Sequence, residues 1–379
     1  MKPVFIVADN IVSPLGQTTT ANFDLLKAGH SGIQLHQNAF SPSPYYASLF
    51  DEKEAFTEGI QNSEKYTRFE RLLIHSIQNT QPATPVFFGD NRTILIIATT
   101  KGNIGLLEKE SLSEELVKRI SLFSSAQRIG GHFGFVHSPR VISHACISGM
   151  VALITGMRLL QAGLYDHAVV AGADLITRFV LSGFQSFHAV SDLPCKPFDK
   201  ERNGITLGEA AATIILSVKE PSGQNCIRIA GGAVSNDANH ISGPSRTGAE
   251  LHQAIETAIR EASVSKAAID FISAHGTATL YNDEMESKAI NLSGLEKTPL
   301  NSLKGYYGHT LGAAGLLETV ISGHSLLSNT ILPTPGFEQP GTSLPVHVNT
   351  ALKTGSYHYC LKTGSGFGGC NAAVILKKT

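Results

Sequence analysis

The sequence predicts an α/β fold built from a duplicated unit with two central buried helices. Three observations lead there. Short β-branched runs recur that are apolar throughout rather than alternating, as strands covered on both faces are. Helical patterns lie between them, and strands alternating with helices argue for α/β layers. Two of those helices are apolar nearly all round, which places them in the middle of a fold.

Strands are expected at Val4–Val7, Thr93–Ala98, Arg140–Ser143, Ala168–Ala171, Thr213–Leu216, Phe271–Ser273, Val346–Asn349 and Ala372–Leu376. The helical patterns cover Gly149–Ala162, Gly248–Ala262 and Gly312–Leu327. The first buried helix opens on Ala145-Cys146-Ile147-Ser148-Gly149 and the second on Leu311-Gly312-Ala313-Ala314-Gly315. Small residues there let backbones pack closely and let a ligand approach. One such helix per half suggests halves 1–222 and 223–379, meeting near Glu220–Asn225, where the chain reads as a turn.

Composition narrows the function classes. Thirty Lys+Arg against 31 Asp+Glu leave a net charge of −1 over 379 residues, which argues against a generic binder of nucleic acid or anionic membrane. With 42% hydrophobic and 16% charged residues, the chain can fill a large core and is not dominated by disorder. The five cysteines (146, 195, 226, 360 and 370) form no CxxC pair, so neither a disulfide framework nor a zinc ribbon is expected. The start, MKPVFIVADN, reads as a strand rather than a signal peptide. The longest uncharged apolar stretch, Ala145–Met157, falls short of the roughly 18 residues of a membrane span. The expectation is a cytoplasmic, reduced, soluble protein without a metal site.

Cys146 follows a strand and precedes a buried helix. A helix N-terminus lowers a thiol pKa, and thiolate is the nucleophile; a lone cysteine is nonetheless more often a small buried hydrophobe. His275, in Ala274-His275-Gly276-Thr277-Ala278-Thr279, directly follows the strand Phe271–Ser273, and strand ends of α/β sheets are where ligands bind. Thr277 and Thr279, two apart in an extended stretch, would point the same way. Among 15 histidines a structural or surface role is the commoner one. His309 lies just before the second buried helix, in a place that mirrors Cys146, with Lys304 five residues upstream. No HExxH or zinc-spaced Cys/His cluster occurs, so these histidines do not read as metal ligands. The glycine loop Gly364-Ser365-Gly366-Phe367-Gly368-Gly369 could cradle phosphate, form an oxyanion hole or simply turn. It lacks the Walker ending and the full GxSxG elbow.

In order along the chain stand ACISG (145–149), KPFDKERNGITLGEAAATIIL (196–216), AHGTAT (274–279), SLKGYYGHTLGAAG (302–315) and GSGFGGCNAAVIL (364–376). This set resembles the elongating β-ketoacyl-acyl carrier protein synthases of the thiolase fold, over nearly the whole chain, including IVADNIVSPLG (6–16). The resemblance implies a duplicated αβαβα layered fold, an acyltransferase, and a homodimer or a heterodimer with a related ketosynthase subunit. It implies decarboxylative condensation of an acyl-enzyme thioester with malonyl carrier, giving a 3-oxoacyl carrier, in fatty acid or specialised lipid or polyene synthesis. No cofactor is implied beyond the phosphopantetheine that arrives on the acyl carrier protein.

The family's Cys-His-His set maps onto Cys146, His275 and His309. Thiolases have a second cysteine, and chain-initiating synthases an asparagine, where this chain has His309. Lys304 maps onto the lysine that orders the histidines, Phe367 onto the gate and oxyanion hole, and Asp283, Glu286 and Glu318 onto structural acidic partners. Thr277, Thr279, Ser365 and Gly368 match substrate-contacting positions. Lys65, Arg68 and Arg71, expected on one helical face, are candidates for carrier docking. The chain departs from the family at Ser365, Cys370, Ala278 and the loop Thr100–Gly105, and is short between Gly105 and Arg140. A non-catalytic partner that sets chain length, and a degradative thiolase, are the competing readings; the retained Cys146, His275, His309 and Lys304 speak against the first.

Overall fold

The computed structural model describes residues 2–221, 225–238 and 243–379, so the expected half boundary lies outside the described residues. Ten strands form one sheet. In chain order these are β1 (Phe5–Val12), β2 (Thr93–Ala98), β3 (Arg140–Ile142), β4 (His167–Asp174), β5 (Ala210–Ser217), β6 (Ile227–Asn236), β7 (Phe271–Ser273), β8 (Leu300–Asn301), β9 (Tyr359–Gly366) and β10 (Cys370–Lys378). Their order in space is β8-β7-β9-β10-β6-β1-β5-β4-β2-β3. Read outward from the middle, the first half runs β1-β5-β4-β2-β3 and the second β6-β10-β9-β7-β8. Each strand of the second half therefore takes the place of the strand five earlier. The senses match as well: two antiparallel pairings, then two parallel ones, in both halves. This repeat is the duplication that the two similar helix starts suggest. The halves of the sheet meet where Phe5 pairs Arg228 and Ile6 pairs Ile227.

Five helices matter for the site: α1 (Arg68–Gln78), α2 (Ser148–Gln161), α3 (Ala249–Ala262), α4 (Leu280–Leu292) and α5 (Ala314–Leu327). Both α2 and α5 touch strands of both halves, and so form the central layer; α1 covers the outer face of the first half, and α3, with α4 packed on it, that of the second. The result is the layered αβαβα arrangement. Three apolar cores follow from it, one around the central helices and one under each outer layer. Strands β2 and β7 coincide with the expected runs because each is buried along its whole length. Strand β1 runs past Val7 because Asp9 and Asn10, which interrupt the apolar run, still pair with Ile214 and Thr213.

The central helices cross where each carries a glycine. A Cβ on Gly149 would sit 2.8 Å from the Leu316 amide nitrogen, and one on Gly315 would strike the Met150 side chain. These reciprocal contacts set the register of the repeat: residue 149 corresponds to 315 and 150 to 316.

Two expectations are corrected. Val346–Asn349 is not a strand. It lies beside Leu300 with a single bridge at Val348, and the Asn349 side chain is spent on the carbonyls of Leu332 and Ala351 at 2.9 and 2.7 Å. Lys65, Arg68 and Arg71 do not share one helix. Thr67 caps α1 in a reciprocal box with Glu70, which ends the helix there and leaves Lys65 in a separate 3₁₀ turn. No helix among the described residues is long and apolar enough to cross a membrane.

Candidate active site

Cys146 sits on a sharp turn between β3 and α2. Ala145 adopts φ 45°, a left-handed conformation that costs a non-glycine residue about 1–2 kcal/mol. The Ser148 hydroxyl holds this turn, accepting the His144 amide at 2.8 Å and donating to the Ala145 carbonyl at 2.6 Å. The thiol is half-buried and lines a cavity of about 420 Å³. Burial pushes its pKa up to about 11, against the Lys304 charge and the Phe367 N–H, which favour thiolate. Helix α2 begins two residues on, at Ser148, so the sulfur stands at its N-terminus, where the dipole favours thiolate as the Lys304 charge does, against that burial.

His275 and His309 converge on Cys146. The sulfur and one ring nitrogen of each histidine all lie within 4.8 Å of one another. The two rings stand nearly perpendicular, 5.4 Å between centroids. His309 Nδ1 accepts the Leu311 amide at 3.2 Å, so a neutral ring carries its proton on Nε2. His275 Nδ1 lies 3.3 Å from the Lys304 ammonium, which has only protons to offer, so its proton is on Nε2 too. Burial first, then the charges of Lys304 and Lys362, push both imidazoles well below their ordinary pKa; His309 adds to this at His275. Two neutral imidazoles with their Nδ1 atoms engaged make a pair of Nε2–H donors beside the thiol.

The groups behind them are all buried. Lys304 also donates to the His275 carbonyl and, at 2.7 Å, to Glu318 Oε1. Burial alone would raise the Glu318 carboxyl, but Lys304 and Lys362 hold it below its ordinary value. Glu286 accepts the amides of His275 and Gly276, each at 2.8 Å, and the Thr363 hydroxyl at 2.7 Å. Asp283 accepts the amides of Thr277, Ala278 and Phe198 at 2.8, 3.1 and 2.7 Å, and burial pushes its carboxyl up to about 6. These two carboxylates fix the loop that carries His275. Thr277 and Thr279 line the cavity with their hydroxyls 3.0 Å apart. They converge through a turn at Ala278, φ 62°, rather than through extended chain.

Phe367 lines the cavity mouth, its ring 5.8 Å from that of Phe184 and 5.7 Å from that of Phe187. Ser365 lies on the cavity wall and donates to Asn371 Oδ1 at 2.8 Å, which ties the two arms of the glycine loop. Gly368 does not line the cavity; it sits at the outer tip of the loop, its carbonyl accepting Asn236 at 2.8 Å. Arg68 and Arg71 do not line the cavity and spend their guanidinium groups on backbone carbonyls, Arg68 on Glu54 and Asp51, Arg71 on Ala55, Ser63 and Tyr66.

Asp174 and Lys362 are among the buried charged residues that escape the sequence reading. Asp174, at the end of β4, accepts the Gly312 amide at 2.7 Å and the hydroxyls of Thr99 and Thr100 at 2.8 and 2.9 Å, so it ties the first half to the start of α5. Lys362, inside β9, reaches the carbonyls of Ser273, Ala274 and Thr363 at 3.1, 3.3 and 2.6 Å and lies 2.7 Å from Glu318 Oε2. A lysine inside an otherwise uncharged strand is the available signal. The mirror of Cys146 is also corrected: in the register of the crossing glycines it is Gly312, and His309 lies three residues upstream.

Comparison with known proteins agrees with this geometry. Residues 1–222 match the model of the beta-ketoacyl synthase N-terminal domain, and residues 226–338 that of the C-terminal domain. The chain is 29% identical to 3-oxoacyl-[acyl-carrier-protein] synthase 2 of Vibrio cholerae, over 99% of each chain. It is 31% identical to a putative polyketide beta-ketoacyl synthase 1 of Streptomyces halstedii, over 66% of this chain and 63% of that one. Its structure resembles that of a ketosynthase, ApeO, solved with its chain length factor from Xenorhabdus doucetiae, with TM-score 0.87 and 27% identity, covering 100% of this chain and 98% of that chain. The ishigamide ketosynthase/chain length factor gives TM-score 0.89 and 25% identity, covering 100% and 99%. By fold, by matched domains and by the setting of its thiol and paired imidazoles, the chain belongs to the beta-ketoacyl synthase family.

Proposed function

We propose that this chain catalyses decarboxylative condensation of an acyl group held on Cys146 with a malonyl group delivered by an acyl carrier protein. The observation that carries the proposal is the convergence of Cys146, His275 and His309 within 4.8 Å at a cavity wall. In the first step the Cys146 sulfur attacks the thioester of an acyl carrier. The new carbon–sulfur bond forms as the carrier's breaks, and the thiol proton passes to the departing pantetheine sulfur.

Malonyl carrier then enters along the threonine side of the cavity, Thr277 and Thr279 offering hydroxyls to its pantetheine. Its carboxylate leaves as carbon dioxide, and the bonding electrons pass into an enolate. Both Nε2–H groups hold the thioester oxygen as it gains charge; donors placed in this way are each worth about 2.7–4 kcal/mol. The carbanion attacks the acyl carbonyl. The N–H groups of Cys146 and Phe367 stabilise the tetrahedral oxyanion, and the carbon–sulfur bond breaks to release a 3-oxoacyl carrier and the Cys146 thiolate, which takes a proton from solvent to regain the thiol. No step calls for a metal or a free cofactor.

Two similar structures pair a ketosynthase with a chain length factor. Because Cys146, Lys304 and both histidines are present, we assign this chain the ketosynthase position, whether its partner is a second copy or a related subunit. A cytoplasmic setting goes with this reading, as does the division into halves 1–222 and 223–379.

The test is intact-protein mass after incubation with carrier proteins bearing short, long, unsaturated and aryl acyl chains. An acyl-sized gain on the wild type, absent in Cys146→Ala, is expected, and the best donor identifies the substrate class. No gain with any donor, alone or with a candidate partner subunit, would sink the proposal.

A further inference from the structure

We propose that Lys362 is a positioning residue of the condensing reaction, holding the backbone that carries His275 and, through Glu318, the Lys304 ammonium against that imidazole, so that His275 faces Cys146 beside His309. The inference rests on the condensing reaction proposed for this site and deepens it.

The duplication supplies an internal control. Strands β4 and β9 occupy the same place in their halves and have eight residues each. Lys362 is fourth in β9, and the fourth residue of β4 is Val170. In the register of the crossing glycines, Glu318 of α5 corresponds to Ala152 of α2. One half thus packs alanine and valine at the position where the other buries a carboxylate against an amine. Replacing such an ion pair by apolar groups is often neutral or stabilising, so packing alone does not account for it.

Every contact that Lys362 makes points at the site. Strands β7 and β9 run parallel with Ser273 opposite Lys362, which brings the amine to the strand end that His275 follows. Its three protons match three carbonyls, those of Ser273, Ala274 and Thr363. Glu318 Oε2 at 2.7 Å is held by charge, without an aligned hydrogen bond, while Glu318 Oε1 takes Lys304. The side chain has no solvent access. It is not a catalytic residue, since it does not line the cavity.

The charge of Lys362 also acts on both imidazoles. The groups that face them are Lys304 from the short helix before His309, Lys362 from β9, Cys146 from its turn, Glu318 from α5, Glu286 from α4 behind the His275 amide, and each ring on the other. Lys362 lowers the pKa of His275 and His309, whereas the lysine acting most on the Cys146 thiol is Lys304. Removing the Lys362 charge should therefore raise the imidazole pKa values and leave the thiol unmoved.

Lys362→Met removes the charge and all donors; Lys362→Gln removes the charge and keeps two N–H donors. In each, malonyl-thioester decarboxylation and iodoacetamide alkylation of Cys146 are measured against pH. The expected result is a loss of about tenfold or more in decarboxylation at neutral pH, with the acid limb moved to higher pH. The alkylation profile should stay in place. A decarboxylation profile that does not move, a parallel loss of both reactions, or failure of both variants to fold would overturn the proposal in favour of a purely structural lysine. A wild type that neither takes up acyl groups nor decarboxylates would instead remove the condensing reading, and this inference with it.

Discussion

At the start of α2 the chain turns through Ala145 with φ 45°, and at the start of α5 through Leu311 with φ 52°, so the two central helices are entered by the same backbone device. The two turns lead to different residues. After Ala145 comes Cys146, half-buried on a cavity wall; after Leu311 comes Gly312, buried, its amide given to Asp174. The second half places its chemistry before the turn, at Lys304 and His309, and inside the fold, at Glu318 and Lys362. The first half keeps alanine and valine at the places of those last two. A nucleophile must be reached, so it lies at a surface of the cavity. The imidazole donors reach the same wall, while the charged groups that hold them in place, Lys304, Glu318 and Lys362, lie beneath it, where the low dielectric strengthens their interactions. The same turn serves both needs because only its surroundings differ.

The comparison can be broken most forcefully at Glu318. Glu318→Ala leaves two buried ammonium groups with no carboxylate between them and should cost about 3–5 kcal/mol of stability by chemical denaturation. The pH dependence has a definite sign. The folded pKa of Glu318 is held below its ordinary value, so its contribution is present above about pH 4.3 and lost as pH falls through the folded pKa. Stability of Glu318→Gln should fall less steeply than that of the wild type in that acid range; equal slopes would mean that Glu318 is not held by the lysines.

His309→Ala tests the division of labour. Malonyl decarboxylation should fall by about 10²–10³-fold, whereas acyl uptake on Cys146, followed by mass, should persist. Equal loss of both would show that the histidine serves the thiol rather than the enolate. The crossing itself comes next. Gly149→Ala drives a methyl against the Leu316 backbone, which cannot rotate away, and should cost about 1–3 kcal/mol. A neutral result would mean that α2 and α5 are not locked at this point. The smallest effect is expected at Arg71, whose guanidinium serves three carbonyls. Arg71→Ala should lower stability by about 1 kcal/mol and leave the Michaelis constant for carrier substrates unchanged. A raised Michaelis constant at unchanged stability would instead assign Arg71 to carrier docking.

Much of the site is legible in the chain. Cys146, His275 and His309 each stand beside a strand end or a small-residue helix start, which are local features, and their order carries the resemblance. Thr277 and Thr279 do lie on the cavity, though through a turn. Lys362 is not legible, because its meaning comes from the register of Ser273 with Lys362, on two strands whose paired residues lie 89 apart. Arg68 and Arg71 look free in the sequence because the carbonyls that hold them belong to a loop with no regular pattern. Gly368 reads together with its neighbours, although of residues 365–369 it alone does not line the cavity.

By itself the sequence determined the alternation of buried strands and helices, the two all-apolar helices with their small-residue starts, and the ordered set of thiol, imidazoles, lysine and glycine loop. These depend on residues close together in the chain, and apolar period and turn chemistry are local properties. The tertiary structure alone decided the rest. It gave Glu318 two lysines, gave Asp174 the amide of Gly312, and made Gly312 rather than His309 the counterpart of Cys146. Desolvation and charge act through space, so each is a sum over groups that only the folded chain brings together.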